Sequence, residues 1–335
     1  LKADTVYHVV EKLQLSVLCP AGVTIEGNGA VIKALPGFRQ GVLLTATELL
    51  RSEPYDPGVT IRDLTIDGDG HVSRCIFGNW KNALIHDLQV KGGTVYQVNA
   101  IWNDSTLSNI RVTGSESQTN NGFDCNLQNS TIWNISVDMQ GNLKESGLWL
   151  NGSNHANIIN SFLTDGRTAF GLENCKDVNL INMNVRGAFS FRVINILPAE
   201  PSERIHLYDV KVASKHVGKE ASAGVHFNAT QGGMVVRGQI VAASPGVMVT
   251  NGASDIDVID VVSPAPIVHP KAEWIQNGRR SWISKARREQ RQRSNKPPVV
   301  YAGLDQTVNS LKRIKLTAAV ADERNLSELT VAWSK

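Results

Sequence analysis

A short phrase of alternating apolar and polar positions recurs along the first 270 residues. Its form is apolar-x-Asp/Asn-apolar-x-apolar, as in Ile61-Arg-Asp-Leu-Thr-Ile66. Weaker copies place Gly238 and Asp260 at the Asp/Asn position. The Asp/Asn positions of the seven clearest copies are 22 to 27 residues apart: Asp63, Asp87, Asn109, Asn134, Asn160, Asn182 and Asp209. Alternation with a period of two indicates strands, and this spacing leaves no room for a helix, so each repeat predicts one coil of a β-solenoid.

Such a coil buries its apolar face only by stacking on its neighbours, about 4.8 Å away. An Asn or Asp at a bend tolerates left-handed backbone angles and can bond to its equivalent in the next coil. We therefore predict an all-β chain with a parallel β-helix over residues 1–270. It should comprise about nine or ten coils from Val9 to Val268, right-handed as parallel crossovers overwhelmingly are. The Asp and Asn ladder is interpreted as structural.

Charge separates a second segment from this body. Residues 271–296 carry nine Lys and Arg against Glu273 and Glu289, while the net charge of the whole chain is only +3. We predict a basic linker or helix that lies outside the solenoid and is not needed for ligand binding. The remaining chain is mildly acidic, which argues against nucleic acid as a partner. The chain contains no run of about 18 apolar residues, so no membrane span is predicted. The first ten residues lack a signal-peptide pattern.

The last segment, residues 297–335, carries three strand-like pieces. Pro297-Pro-Val-Val-Tyr-Ala-Gly-Leu-Asp-Gln-Thr-Val308 and Leu329-Thr-Val-Ala-Trp-Ser334 resemble the opening of polycystic-kidney-disease-type Ig-like domains, which decorate bacterial secreted and surface proteins. A complete sandwich needs about seven strands and about 100 residues, so the segment is predicted to be an incomplete Ig-like domain. The resemblance implies an extracellular or cell-surface location.

The cysteines predict neither disulfides nor a metal site. Cys75, Cys125 and Cys175 are 50 residues apart, which is about two coils. That separation exceeds the roughly 7 Å that a disulfide spans, so buried free thiols are expected. The turn Asp67-Gly-Asp-Gly-His71 is compatible with calcium, but a tight turn is the preferred interpretation. We predict no cofactor, with calcium left as an alternative.

The outward side chains of one strand per coil supply the candidate chemistry. Alternation places Phe123 and Cys125 inside and Asp124 outside. The same argument in neighbouring coils predicts one outward column: Trp102, Asp124, Trp149, Glu173, Arg192 and His226. Aromatic, acidic and basic groups in one line are typical of a glycan groove. Additional substrate-binding candidates are Arg167, Arg186, Asn126 and Asn151.

One run in this region resembles a known family. Asn120-Asn-Gly-Phe-Asp-Cys-Asn-Leu127 resembles the Gly-Phe-Asp run of mannuronan C5-epimerases, and Arg167 matches a later Asp-Arg turn. The resemblance extends to the carbohydrate-active parallel β-helices, which include pectate lyases, polygalacturonases and phage tailspikes, and it implies a polysaccharide partner. Asn121 and Asn126 replace the epimerase Tyr and His pair. The paired aspartates and Gly-His-Gly of polygalacturonases are absent.

Three classes of function remain: a polysaccharide lyase or hydrolase, a non-catalytic adhesive glycan binder, and a structural stalk. The mixed column favours an enzyme. In a lyase, which is the preferred hypothesis, Arg192 would offset a uronate carboxylate and His226 would abstract the C5 proton. An inverting hydrolase would instead use Asp124 and Glu173, two coils or about 9 to 10 Å apart. The particular polysaccharide and the oligomeric state are not predicted.

Overall fold

The computed structural model describes residues 1–9, 17–38, 41–46, 56–115, 118–197, 201–217, 223–241, 245–264, 267–268, 279–282, 299–301 and 319–321. These residues form 28 strands and no α-helix. Within them, no helix is long and apolar enough to cross a membrane.

The strands, in chain order, are β1 (Val6–Val9), β2 (Val17–Cys19), β3 (Thr24–Ala34), β4 (Val42–Ala46), β5 (Asp56–Pro57), β6 (Thr60–Lys81), β7 (Leu84–Asn103), β8 (Thr106–Thr113), β9 (Phe123–Gln128), β10 (Thr131–Asp138), β11 (Leu148–Asn151), β12 (Asn154–Ile159), β13 (Phe162–Gly166), β14 (Phe170–Glu173), β15 (Lys176–Ile181), β16 (Asn184–Phe189), β17 (Ile194–Ile196), β18 (Glu203–Tyr208), β19 (Lys211–His216), β20 (Val225–Asn228), β21 (Gln231–Val236), β22 (Gln239–Val241), β23 (Val247–Thr250), β24 (Ser254–Val262), β25 (Ile267–Val268), β26 (Arg279–Trp282), β27 (Val299–Tyr301) and β28 (Ala319–Ala321).

The chain winds as a parallel β-solenoid of about nine coils, which confirms the predicted fold class. Each coil contributes to three parallel sheets, here named in the order in which the chain enters them. Sheet A includes β12, β15, β18 and β21, and sheet B includes β13, β16, β19 and β22. Sheet C includes β9, β11, β14, β17, β20 and β23. The long strands β6 and β7 each run through all three.

The bend between sheets A and B is the Asp and Asn ladder that the repeat predicts. Its residues have φ between 51° and 56°, the left-handed conformation that Asn and Asp tolerate. Asn134 Nδ2 donates to Asn109 Oδ1 at 2.7 Å, and Asn109 Nδ2 donates to Asp87 Oδ1 at 2.9 Å. One assignment is wrong by a residue: Arg237, with φ 54°, occupies the place predicted for Gly238. Its guanidinium bonds to both oxygens of Asp209, so an ion pair replaces the amide contact there.

Inward side chains from all three sheets form one continuous apolar core. Phe123, Phe170 and Phe227 are fully buried in it. The four cysteines are buried and free, as predicted. Burial raises the pKa of Cys75 to about 12, so this thiol remains protonated and unreactive.

In the basic segment the structure describes Arg279–Trp282, and this strand, β26, pairs antiparallel with β24 of the last described coil of sheet A. These four residues add one antiparallel strand to the solenoid. The rest of the predicted linker or helix lies outside the described residues. Of residues 297–335 the structure describes β27 and β28, which pair antiparallel as a separate two-stranded sheet. The rest of the predicted Ig-like segment lies outside the described residues.

Candidate functional site

The outward face of sheet C carries two adjacent rows of side chains. Strand register defines the first row, which continues from coil to coil through Asn99, Asp124, Trp149, Gly171, Asn195 and His226. The second row is two residues further along each strand and contains Asn126, Asn151 and Glu173. Asp124, Trp149 and His226 thus share a row, as predicted. Glu173 lies in the neighbouring row and is diagonal to Asp124.

Trp102 was predicted to face outward, and this is wrong. It pairs with Leu127, points into the core with 1% exposure, and stacks on Trp80 with ring centroids 5.4 Å apart. The residue that lies beside Asp124 is Asn99, 25 positions earlier. Turn lengths between sheets B and C vary from coil to coil, so counting a constant repeat misses the register. Trp102 is a core residue and does not contact ligand.

Asp124 is held in a polar network at the centre of the first row. Asn121 Nδ2 donates to Asp124 Oδ2 at 2.9 Å. Burial raises the pKa of Asp124, and the nearby charge of Glu173 adds to the rise, while Asn121, Arg74 and Asn99 oppose it. The charges of Asp124 and Glu173 therefore interact across the face of sheet C, and the raised pKa of Asp124 favours its protonated form.

Sequence reasoning missed two residues beside this network, Arg74 and Tyr96. Arg74 Nε donates to Asn99 Oδ1 at 3.1 Å, and its Cζ lies 5.5 Å from the centroid of the Tyr96 ring. Burial raises the pKa of Tyr96, and the charge of Asp124 adds to the rise. Both precede the Gly-Phe-Asp run by one or two coils, so only three-dimensional register brings them to Asp124.

Trp149 lies flat across the strand of the next coil. A Cβ at Gly171 would fall 2.1 Å from Trp149 Cε3 and 2.4 Å from Cζ3. The indole thus occupies the space above Gly171, and no side chain of another residue type fits there. The partly exposed ring forms an aromatic platform between the coil of Asp124 and that of Glu173.

The turns that lead from sheet B into sheet C form one edge of this face. Phe191 lies between two guanidinium groups, with Arg192 Cζ 4.4 Å and Arg167 Cζ 5.0 Å from its ring centroid. Burial raises the pKa of Glu145, and the charge of Arg167 opposes this rise. Arg192 was predicted to lie in the outward row, but it precedes β17 in a turn, and Asn195 occupies the row.

His226 is in the predicted row but is 1% exposed. Its Nδ1 donates to Asn195 Oδ1 at 3.0 Å, and its Nε2 accepts from Thr250 Oγ1 at 2.6 Å. Burial lowers the pKa of His226 to about 3, and the charge of Arg192 contributes. Both ring nitrogens are thus engaged and the ring is neutral. It has no free nitrogen with which to abstract a proton from a ligand.

Two other candidates lie away from this face. Arg186 is exposed on sheet B, where its Nε donates to Asn184 Oδ1 at 3.3 Å. In the Asp67 turn each carboxylate faces a lysine: Lys91 Nζ is 3.3 Å from Asp67 and Lys33 Nζ is 3.1 Å from Asp69. Among the described residues no cluster of three or more His, Cys, Asp or Glu is arranged to hold a metal ion.

A scan against protein-family models finds no match, and a search of curated proteins finds none. Solved structures do match. The A-module of mannuronan C-5 epimerase AlgE4 from Azotobacter vinelandii is 13% identical with a TM-score of 0.49, over 82% of this chain and 91% of that module. DFA-IIIase from Arthrobacter chlorophenolicus without its lid is 11% identical with a TM-score of 0.44, over 71% and 72% of the two chains.

The gp42 tailspike of an Acinetobacter phage is 11% identical with a TM-score of 0.46, over 84% of this chain and 60% of the tailspike. Two of these proteins are named for enzymes and one for a tailspike. At such identities, and with TM-scores below 0.5, these similarities assign neither a family nor an activity.

Proposed function

We propose that the chain is a glycan-active enzyme that binds a polysaccharide along sheet C. It hydrolyses a glycosidic bond that lies between the side chains of Asp124 and Glu173. The observation that carries the proposal is an aromatic platform, Trp149, with a carboxyl of raised pKa in the preceding coil and a second carboxylate in the following one. A sugar ring stacked on Trp149 would have one carboxyl group on either side.

Asp124 is the general acid in this proposal. Cleavage of a glycosidic bond requires a proton on the departing oxygen, and a carboxyl group supplies it only if its pKa keeps it protonated near the working pH. Burial and the charge of Glu173 both raise the pKa of Asp124. Hydrogen bonds from Asn121 and Asn99 fix the orientation of this carboxyl group.

Glu173 is the general base that activates water. Two coils separate it from Asp124, which is about 9 to 10 Å along the solenoid axis. Inverting glycosidases hold their carboxyl groups about 6.5 to 9.5 Å apart, which leaves room for the attacking water. The backbone separation of Asp124 and Glu173 lies at the upper end of that range, so inversion of the anomeric centre is expected.

The surrounding groups suit a carbohydrate. The indole of Trp149 offers a flat apolar face to the C–H side of a pyranose. Asn126 and Asn151 in the second row offer amide donors and acceptors to its hydroxyl groups. Arg74 and the exposed Arg167 provide positive charge on this side of the solenoid, which would allow an acidic sugar.

A lyase is the second candidate, for a specific reason. The assignment of Arg192 and His226 as the lyase pair loses its base, because both nitrogens of His226 are hydrogen-bonded inside the protein. Tyr96 and Arg74 offer a second pair of groups for a lyase, a phenol and a guanidinium, next to Asp124. Arg74 would offset a uronate carboxylate in that case. A location outside the cytoplasm is part of the proposal and rests on the Ig-like resemblance of residues 297–335.

Product analysis over a panel of neutral and acidic polysaccharides tests the proposal. We expect new reducing ends without unsaturated sugars, and at least about a hundredfold loss of turnover in Asp124→Asn and in Glu173→Gln. Glu203→Gln, a carboxylate change on sheet A, is the matched control and should retain activity. Unsaturated ends would establish the lyase instead. Binding without products would leave an adhesive protein.

A further inference from the structure

The outer face of sheet A changes character along the solenoid. One row on this face runs through successive coils as Arg62, His86 and Ser108. The same row then continues as Trp133, Ile159, Ile181, Tyr208, Val236 and Ile259. We call these last six residues the outer apolar row. The early coils have polar residues at the same position, and the exposure of these residues falls from Arg62, which is exposed, to Ser108, which is 1% exposed.

The outer apolar row is distinct from the core. In each strand the preceding residue, such as Leu180 before Ile181, points inward and belongs to the main core. Ile159, Ile181, Tyr208 and Val236 form a separate cluster with Met234. These outward side chains are nevertheless only 0 to 8% exposed. Since a sheet face open to water would expose them, another part of the molecule covers them.

One described strand from outside the solenoid lies against this face. β28 lies against β15 of sheet A, the strand that ends at Ile181 near the middle of the row. β28 also pairs antiparallel with β27, and the two strands have the sequences Ala-Val-Ala and Val-Val-Tyr. An isolated two-stranded sheet is at best marginally stable in water. The row and this strand pair each need an apolar partner.

We propose that the outer apolar row is the docking surface for the strand pair β27 and β28 of the same chain. This strand pair is then a brace on the second half of the solenoid. This arrangement leaves sheet C uncovered by the brace, and the proposal is independent of the glycan activity.

Cleavage of the intact folded chain tests the docking. A protease site inserted between Lys296 and Pro297 allows the backbone to be cut after folding, followed by gel filtration under native conditions. We expect the released fragment, residues 297–335, to elute together with the solenoid. Ile181→Asp should weaken its retention by at least about a hundredfold, because a carboxylate would be buried at the contact. Phe162→Asp, on an exposed apolar residue of sheet B, is the matched control and should retain the fragment.

Separation of the fragment from the otherwise unmodified solenoid would overturn the proposal, and dimerisation of the stripped solenoid would identify a second copy as the occupant. If Ile181→Asp fails to fold, Ile181→Cys combined with Cys at Ala319, Val320 or Ala321 replaces it. At least one pair should form an intramolecular disulfide on oxidation, whereas Phe162→Cys should not. The four natural cysteines are buried and do not compete. Failure of every pair would contradict docking.

Discussion

Gly171→Ala should destabilise the fold when Trp149 is present and stabilise it when Trp149 is replaced by Ala. Gly171 does not have the positive φ that would require glycine, so its backbone accepts any residue. The added Cβ, however, would lie 2.1, 2.4 and 2.8 Å from three indole atoms. These distances are far below van der Waals contact, so the ring must leave its place.

The magnitude follows from two opposing effects. With Trp149 present, overpacking should destabilise the fold by about 1 to 3 kcal/mol. In a Trp149→Ala background the clash is absent, and Gly171→Ala should stabilise by about 0.4 to 1 kcal/mol because it restricts the unfolded chain. The two substitutions should therefore couple by about 1.4 to 4 kcal/mol.

Urea unfolding of the four proteins, followed by far-UV circular dichroism, measures this coupling. Tryptophan fluorescence of Gly171→Ala should shift toward a more solvated indole, and glycan binding should weaken as in Trp149→Ala. If Gly171→Ala had the same effect in both backgrounds, the indole would not lie over Gly171 and the platform would be wrong.

Four further predictions concern the ladder and the titrating groups. Asn134→Gly should cost about 1 kcal/mol for one lost exposed hydrogen bond, and Asn134→Leu about 1 to 2 kcal/mol more because Leu resists left-handed φ, both measured by urea unfolding. Asp124→Asn should raise stability at neutral pH while abolishing turnover. Because the pKa of Asp124 is raised in the folded protein, its ionised carboxyl group opposes folding above that pKa. Thermal melts at a pH well below the ordinary pKa of 3.8 should show no increase in stability. The pKa of His226 is lowered from 6.5 to about 3, so the neutral ring contributes to the stability of the fold fully above pH 6.5, and this stability is lost as the pH falls toward 3. His226→Gln should flatten the dependence of the free energy of unfolding on pH in this range, measured by denaturant titrations. An unchanged pH dependence would contradict a buried, neutral His226. Arg74→Met should raise the pKa of Asp124, since Arg74 lowers it, and should therefore move the alkaline limb of the pH–rate profile to higher pH. A shift of this limb to lower pH would refute the role of Asp124 as general acid.

The repeat in the sequence is sufficient for the fold because Asn or Asp marks the bend between sheets A and B in most coils. Asn109, Asn134 and Asn160 stack in successive coils as expected, since left-handed φ selects Asn and Asp. The ladder is exposed at Asn134, so its contribution to stability is smaller than that of a buried hydrogen bond.

The site was less predictable because its register depends on turn lengths. Asp124 and Trp149 are 25 residues apart and Trp149 and Gly171 are 22 apart, so no constant spacing gives the row. A slip along the strand exchanges inward and outward residues, and this explains the error at Trp102. Arg74 and Tyr96 precede the recognisable motif, and only the folded coils bring them to Asp124.

The outer apolar row had a signal in the sequence that alternation alone conceals. Leu180-Ile181 and Val235-Val236 are paired apolar residues before a ladder position, where the early coils have one apolar and one polar residue. A second apolar residue on a strand indicates that both faces are covered. The pairing therefore predicts a covered sheet, but it does not identify the segment that covers it.

A crystal structure of Asp124→Asn with an oligosaccharide from the polysaccharide that the wild-type protein cleaves tests the central claim most directly. We expect one sugar ring stacked on the indole of Trp149, its glycosidic oxygen within hydrogen-bonding distance of residue 124, and Glu173 facing the opposite side of the ring. An oligosaccharide bound to another face of the solenoid, or along sheet C but away from Trp149, would contradict the account.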